Sequence, residues 1–128
     1  MQENISLKPY NTFGVDVQSK YFAEVCSLEE LIETLKFSNS IKLPLLFLGG
    51  GSNILLTKDF EGLAIQLNLK GITEEIIDDN QILVTAKAGE NWHQFVMYCL
   101  DKNYGGLENL SLIPGNVGTS PMQNIGAY

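Results

Sequence analysis

The chain has 128 residues, 45% hydrophobic and 18% charged, with a formal net charge of −7. That length suits one domain, or one and a part, and that balance suits a folded globular chain. Eight Lys and Arg stand against 15 Asp and Glu with no basic cluster, which argues against nucleic-acid and anionic-membrane partners. No apolar stretch reaches the roughly 18 residues of a membrane helix, and no basic-then-apolar signal opens the chain, so the expected location is the cytoplasm. One histidine and two distant cysteines offer no zinc pattern, and no metal is expected.

Lys8 and Asn11-Thr12-Phe13 come early and read as an arm that packs on the first folded unit, contact with a bound ligand being the alternative. Ser19 to Val25 reads as a strand ending at Cys26. Ser27 then suits a helix N-cap with Glu30 three residues on. Leu28, Leu31, Ile32 and Leu35 fall on one helical face, and the helix should end near Asn39, before Pro44. Leu45 to Leu48 reads as a buried strand, parallel to the first if the helix is a crossover. Cys26 and Cys99 are both expected as buried small hydrophobes.

The strand at Leu45 breaks into Gly49-Gly50-Gly51-Ser52-Asn53. A loop without side chains lets a ligand approach the backbone, and successive N–H groups can turn toward one anion. It is not a Walker A loop, since no Gly-Lys-Ser/Thr comes after it. It is not a dinucleotide fingerprint of the G-x-G-x-x-G kind, because Ile54 stands where the third glycine belongs. A glycine-rich hairpin turn with no ligand is the competing reading.

Leu63 to Leu67 is a further short strand, and the character changes near Asn68. We therefore expect a first unit over residues 1–67 and a second over 68–128. Ile72 to Ile77 and Ile82 to Ala86 read as a hairpin around Asp78-Asp79-Asn80-Gln81. Asn91 is a candidate N-cap for a second helix, with Trp92, Phe95, Val96, Cys99 and Leu100 on one face and Gly105-Gly106 as its stop. Trp92 reads as a core anchor and His93 as a structural or exposed residue. Glu90 and Glu108 read as helix-start and loop carboxylates. From Leu107 on the chain is rich in Gly, Pro and hydroxyls. Gly115 and Gly118 offer backbone N–H groups there, and Thr119, Ser120, Gln123 and Asn124 offer side-chain donors. The bland alternative is a Pro/Gly connector. Two donor-rich loops in one short chain suit a ligand with two phosphates and a polar ring system.

Five segments, in order and at matching spacing, resemble the UDP-N-acetylenolpyruvoylglucosamine reductase family: Asn11–Gly14, Leu48–Asn53, Ala88–His93, Gly106–Leu110 and Ile113–Tyr128. The resemblance implies an α+β fold of the FAD-binding type shared with vanillyl-alcohol oxidase and p-cresol methylhydroxylase. Two small subdomains would hold FAD non-covalently between them, the second being truncated here. It implies that Gly49, Gly50, Gly51, Ser52 and Asn53 cradle the FAD pyrophosphate. Ile113, Pro114, Gly115, Gly118, Thr119, Ser120, Asn124, Ile125 and Gly126 would line the adenine-ribose and isoalloxazine environment. The form around Thr119 to Asn124 is similar to the family's first type.

The reaction implied is reduction of UDP-N-acetylglucosamine enolpyruvate to UDP-N-acetylmuramate with NADPH, a step in bacterial cell-wall precursor synthesis. The family's proton-donating serine, its glutamate and its arginine all lie beyond the stretch matching Tyr128. No catalytic residue is therefore assigned, the substrate-binding domain is expected to be absent, and no turnover is expected from this chain alone. Two other readings stay open: an oxidase of the same fold with covalently attached flavin, and a structural fragment that hides its edges by self-association.

Overall fold

The computed structural model describes residues 1–126. Ala127 and Tyr128, which close the last of the five segments, lie outside the described residues. Strands β1 (Gln2–Ser6), β2 (Gln18–Val25), β3 (Leu45–Leu48) and β4 (Phe60–Leu67) form one sheet in the order β1-β2-β4-β3, with helix α1 (Leu28–Ile41) between β2 and β3. β1 runs antiparallel to β2, while β2 and β3 both run parallel to β4, which lies between them.

Side-chain alternation along β2 and β4 supplies two cores. Phe22 and Ala64 face Leu7, Val17, Leu48 and Leu56. Ala23, Val25, Leu63 and Ile65 face the other way, where Leu31 and Leu35 of α1 cover them. β4 is covered on both faces, which is why it reads as a continuous apolar run. The arm joins this sheet as β1, a strand the sequence pattern did not announce, because Gln2-Glu3-Asn4-Ile5-Ser6 lacks apolar alternation.

Four expectations need correction. The apolar run Leu45–Leu48 is an edge strand rather than a buried one. Leu46 and Leu48 face the core, while Leu45 and Phe47 are exposed, because no element covers their side. Only half of the α1 stripe packs, since Leu28 and Ile32 lie past the edge of what the sheet can cover. Cys26 is exposed at the turn into α1, where its N–H is held by the Glu30 carboxylate at 2.7 Å, whereas Cys99 is buried as expected. Gly105-Gly106 does not stop the second helix, which ends at Asp101. There Asn103 takes a left-handed conformation (φ 61°), its N–H reaches the Leu100 carbonyl, and the Tyr104 N–H reaches that of Cys99. This is a Schellman ending with asparagine in the usual glycine position.

α1 ends in a related turn, with Lys42 left-handed (φ 52°) and the Lys42 and Leu43 N–H groups both on the Ser38 carbonyl, two residues beyond the expected Asn39. Its start is as read: Ser27 Oγ accepts from the Glu30 N–H at 3.1 Å.

After Leu67 come the hairpin β5 (Ile72–Asp78) and β6 (Gln81–Ala86), then α2 (Trp92–Asp101). Asp78 Oδ1 accepts from the Asn80 N–H in the turn, and Asn91 caps α2 through the Gln94 N–H. Trp92, Phe95, Val96 and Cys99 pack on Ile72, Val84 and Ala86. The chain from Leu107 onward then folds over them with Leu107, Leu110, Ile113, Val117 and Ile125. Ile76, Ile77 and Leu83, on the outer half of the hairpin, are exposed.

Candidate functional site

The glycine loop is gripped from three sides. Beneath it lies the arm. Buried Asn11 donates through Nδ2 to the Leu7 and Val15 carbonyls and accepts the Val15 N–H, a network that fixes the turn after Tyr10. The next N–H, that of Thr12, donates to the Gly51 carbonyl at 3.0 Å. Gly51 has φ +68°, and a Cβ there would lie 2.1 Å from the Tyr10 carbonyl oxygen, so this position admits only glycine. From β4, Gln66 Nε2 donates to the Gly49 carbonyl at 2.8 Å.

The third grip is the second loop. A Cβ on Gly49 would lie 2.4 Å from Thr119 Cγ2, and one on Gly50 would lie 3.1 Å from Gly115 Cα. A Cβ on Gly115 would in turn meet Ser52 Oγ at 3.2 Å and Gln123 Nε2 at 3.1 Å. Two segments far apart in sequence thus pack backbone to backbone. Between them opens a cavity of about 220 Å³ lined by residues 47–54 with Thr119, Met122 and Gln123.

The chemistry of this cavity is that of its backbone. Among the described residues, no N–H from Gly49 to Asn53 donates to a protein acceptor. Buried or half-buried N–H groups are normally paired, and Gly51 is buried and Gly49 and Ser52 half-buried, so these three with exposed Gly50 and Asn53 form a donor array open to an acceptor. Among the described residues, no charged side chain lines the cavity. An anion bound here would be held by amide dipoles, with Ser52, Asn53 and Thr119 as further donors.

The remaining residues of the second loop build its shape. Ile113 and Ile125 pack into the α2 core. Gly118 lies flat on Ala88, where a Cβ would come within 2.6 Å of the alanine methyl, and its N–H donates to the Ala88 carbonyl. The Pro114 carbonyl accepts from Gln123 Nε2, and Ser120 Oγ donates to the Val117 carbonyl. Asn124 sits at φ 49°, with Gly126 half-buried after it. Asn116 and Thr119 cap the short turn Val117–Thr119 reciprocally. Of this loop's expected site residues, Thr119 lines the cavity and Gly115 abuts the glycine loop, while the others hold the loop in place.

Sequence reasoning missed Gln66, Phe47 and Met122. Gln66 carried a readable signal, a polar residue inside the apolar strand Leu63–Leu67.

Trp92 is a core anchor whose Nε1 donates to the Leu110 carbonyl, and His93 Nδ1 accepts the Leu112 N–H. Glu90 accepts the Gly71 N–H at 2.6 Å. Glu108 accepts the Gly106 N–H, and local backbone N–H groups, its own first, hold its carboxyl below the usual range. A larger hollow of about 700 Å³ lies between the β5–β6 tip and Asn103–Gly105. It is lined by Asp78 and Asp79 and by no cation, the wrong charge for a phosphate. No helix among the described residues is long and apolar enough to cross a membrane.

A parallel strand ends in the glycine loop, and a second Gly/Pro loop packs against it within an α+β fold. The family model described as "FAD binding domain" matches residues 19–128, and the chain belongs to that family. Over its whole length it is 55% identical to UDP-N-acetylenolpyruvoylglucosamine reductase of Flavobacterium johnsoniae, of which it covers 37%. It is 50% identical to the protein of the same name from Pseudomonas fluorescens strain Pf-5, covering 38% of it. The crystal structure of UDP-N-acetylenolpyruvylglucosamine reductase from Thermus caldophilus superposes with a TM-score of 0.65 at 26% identity, over 92% of this chain and 40% of that one. The chain therefore spans well under half the length of the relatives it matches.

Proposed function

We propose that this chain is the FAD-holding part of a UDP-N-acetylenolpyruvoylglucosamine reductase. In this reading residues 1–67 are its first subdomain and 68–128 the N-terminal part of its second. Gly49 to Asn53 hold the FAD pyrophosphate, and the loop from Ile113 to Gly126 closes over it. The observation that carries the reading is the run of N–H groups from Gly49 to Asn53 that, among the described residues, donate to no protein acceptor, in a cavity that Thr119 also lines. Relatives at 50% and 55% identity that bear the reductase name support the choice of enzyme.

Bound FAD would supply the hydride relay from NADPH to the enolpyruvyl double bond of the UDP-sugar. The residues of this chain would bind and orient it. The amides of the glycine loop neutralise the diphosphate, and the arm and Gln66 keep them pointed. Thr119 and Gln123 cover the ligand from the second loop. No residue here is given the proton-donating role, and turnover by this chain alone is not expected. The enzyme is read as cytoplasmic, with flavin held non-covalently. His93, which accepts the Leu112 N–H, is occupied structurally.

Titration of the purified chain with FAD, followed by flavin fluorescence, tests this. Saturable quenching that reverses on acid precipitation is expected. A chain with no FAD affinity would overturn the cradle, and flavin that stays with the pellet would point to covalent attachment.

The hairpin carries a second property. Among the described residues, β5 and β6 form a two-stranded sheet with both outer edges unpaired, and Ile76 is 79% exposed beside exposed Ile77 and Leu83. Such edges favour self-association of this chain. Sedimentation velocity would show a concentration-dependent dimer, and a clean monomer at high concentration would refute it.

A further inference from the structure

We propose that Gln66 is a positioning residue for the diphosphate, acting by fixing which way the Gly49–Gly50 peptide faces. The inference rests on the reading of Gly49 to Asn53 as the diphosphate-holding loop.

Glycine peptides flip easily, because neither flanking residue carries a Cβ to bias φ and ψ. A loop of three glycines could therefore present carbonyls to the cavity as readily as N–H groups, and a carbonyl there would repel an anion. The peptide unit is planar and trans, so its N–H points opposite to its C=O. Tying down one carbonyl therefore aims the following N–H. The structure ties down two in this loop. The Thr12 N–H holds the Gly51 carbonyl at 3.0 Å, which aims the Ser52 N–H away from the arm. Gln66 Nε2 holds the Gly49 carbonyl at 2.8 Å, which aims the Gly50 N–H away from the Gln66 amide. Gly50 and Ser52 both line the cavity.

Gln66 sits where an apolar residue would suit the strand. It is the last β4 residue paired with β3, opposite Leu48, and it comes after Leu63, Ala64 and Ile65, which are fully buried. Its Oε1 is buried with no partner among the described residues. Buried amide oxygens are rarely left so, and the loss is accepted here only to place Nε2 on Gly49. The amide cannot be turned end for end, because Oε1 would then face the Gly49 oxygen. The strand thus gives up a satisfied interior to hold one peptide of the loop.

The test uses Gln66→Leu and Gln66→Glu, with FAD affinity measured by fluorescence at pH 8 and pH 5 beside the unmodified chain. Gln66→Leu has no donor and should bind FAD about ten-fold or more weakly, the scale of one oriented N–H on a charged group. Gln66→Glu has the same shape. As a carboxylate it repels the Gly49 oxygen and should bind weakly at pH 8. Protonated, it can donate to that oxygen, so its affinity should return to near the unmodified level at pH 5. A purely structural role would leave Gln66→Glu equally weak at both pH values. That result, or unchanged affinity in Gln66→Leu, would overturn the inference while leaving the phosphate-loop reading intact. An unmodified chain with no FAD affinity would sink both.

Discussion

The two halves of this chain solve burial differently. In the first, β4 is sandwiched between α1 and the arm side, so three successive residues, Leu63, Ala64 and Ile65, are all fully buried. In the second, β5 and β6 cover only their inner side, with Ile72, Val84 and Ala86 against α2 and Ile76, Ile77 and Leu83 left open. The difference reaches the loops. The glycine loop follows edge strand β3, beside sandwiched β4, and is held by the Thr12 N–H and by Gln66. The second loop is held by apolar anchors, Ile113 and Ile125, and by its own turn bonds. The glycine loop is thus tied to distant chain, while the loop it meets is anchored in a one-sided core.

Changes that attack the sandwiched half should have the largest effects. Ile65→Ala removes a fully buried side chain from the central strand and should cost about 2–5 kcal/mol. Leu83→Ala, on the open side of the hairpin, should change stability by less than about 0.5 kcal/mol. Equal losses in urea unfolding would abolish the contrast. Next in size is Gly51→Ala. An alanine at φ +68° pressed on the Tyr10 carbonyl should cost about 3 kcal/mol and displace the arm. An FAD titration of that variant should show binding lost beyond what its unfolding explains.

The sequence was most readable where local rules act alone. Ser27 and Asn91 announced both helix starts because a cap is decided by a side chain and the next turn of backbone. The hairpin and the Trp92–Cys99 stripe came from period and turn residues. Legibility failed where the outcome depends on what lies opposite. Leu45-Leu46-Phe47-Leu48 looks the same in a central or an edge strand, and only the sheet order decides. Asn103 ended α2 before Gly105 because its left-handed conformation met two open carbonyls. The residues of the glycine loop were visible as a motif, and the five-segment resemblance supplied the role proposed for them. What no local rule supplied was the meeting of Gly49 with Thr119 or the reach of Gln66, since both depend on distant chain.

The comparison sharpens with pH. Glu74 of β5 is held by Lys102 at 2.5 Å, by the Tyr98 hydroxyl and by the Tyr104 hydroxyl at 3.1 Å, a clasp from the end of α2 to the hairpin. The Lys102 ammonium first, then Tyr98, holds the Glu74 carboxyl below its ordinary value. The unfolded chain therefore binds the proton more readily, and the clasp contributes fully only above the unfolded carboxylate value. Its contribution should fade as pH falls through the ordinary carboxylate range and below, alongside the same-signed effect of Glu108. Urea midpoints measured between about pH 6 and pH 3 should drop less steeply for Glu74→Gln than for the unmodified chain. Parallel curves would show that the exposed clasp contributes nothing measurable.

The smallest expected effect compares the two helix ends. Both α1 and α2 finish with a bond from the residue after a left-handed one, Leu43 to Ser38 after Lys42 and Tyr104 to Cys99 after Asn103. A lysine there presses its Cβ toward the next carbonyl, at about 1–2 kcal/mol, whereas asparagine tolerates that conformation better. Glycine relieves the strain but gives the unfolded chain more freedom, which offsets part of the gain. Lys42→Gly should therefore stabilise the chain by about 0.5–1 kcal/mol, a rise of a few degrees in Tm. Asn103→Gly should be close to neutral. Neither residue lines the cavity at the glycine loop, so FAD affinity should be unchanged in both. If Asn103→Gly stabilised as much as Lys42→Gly, the strain would belong to the left-handed position and not to the residue that occupies it.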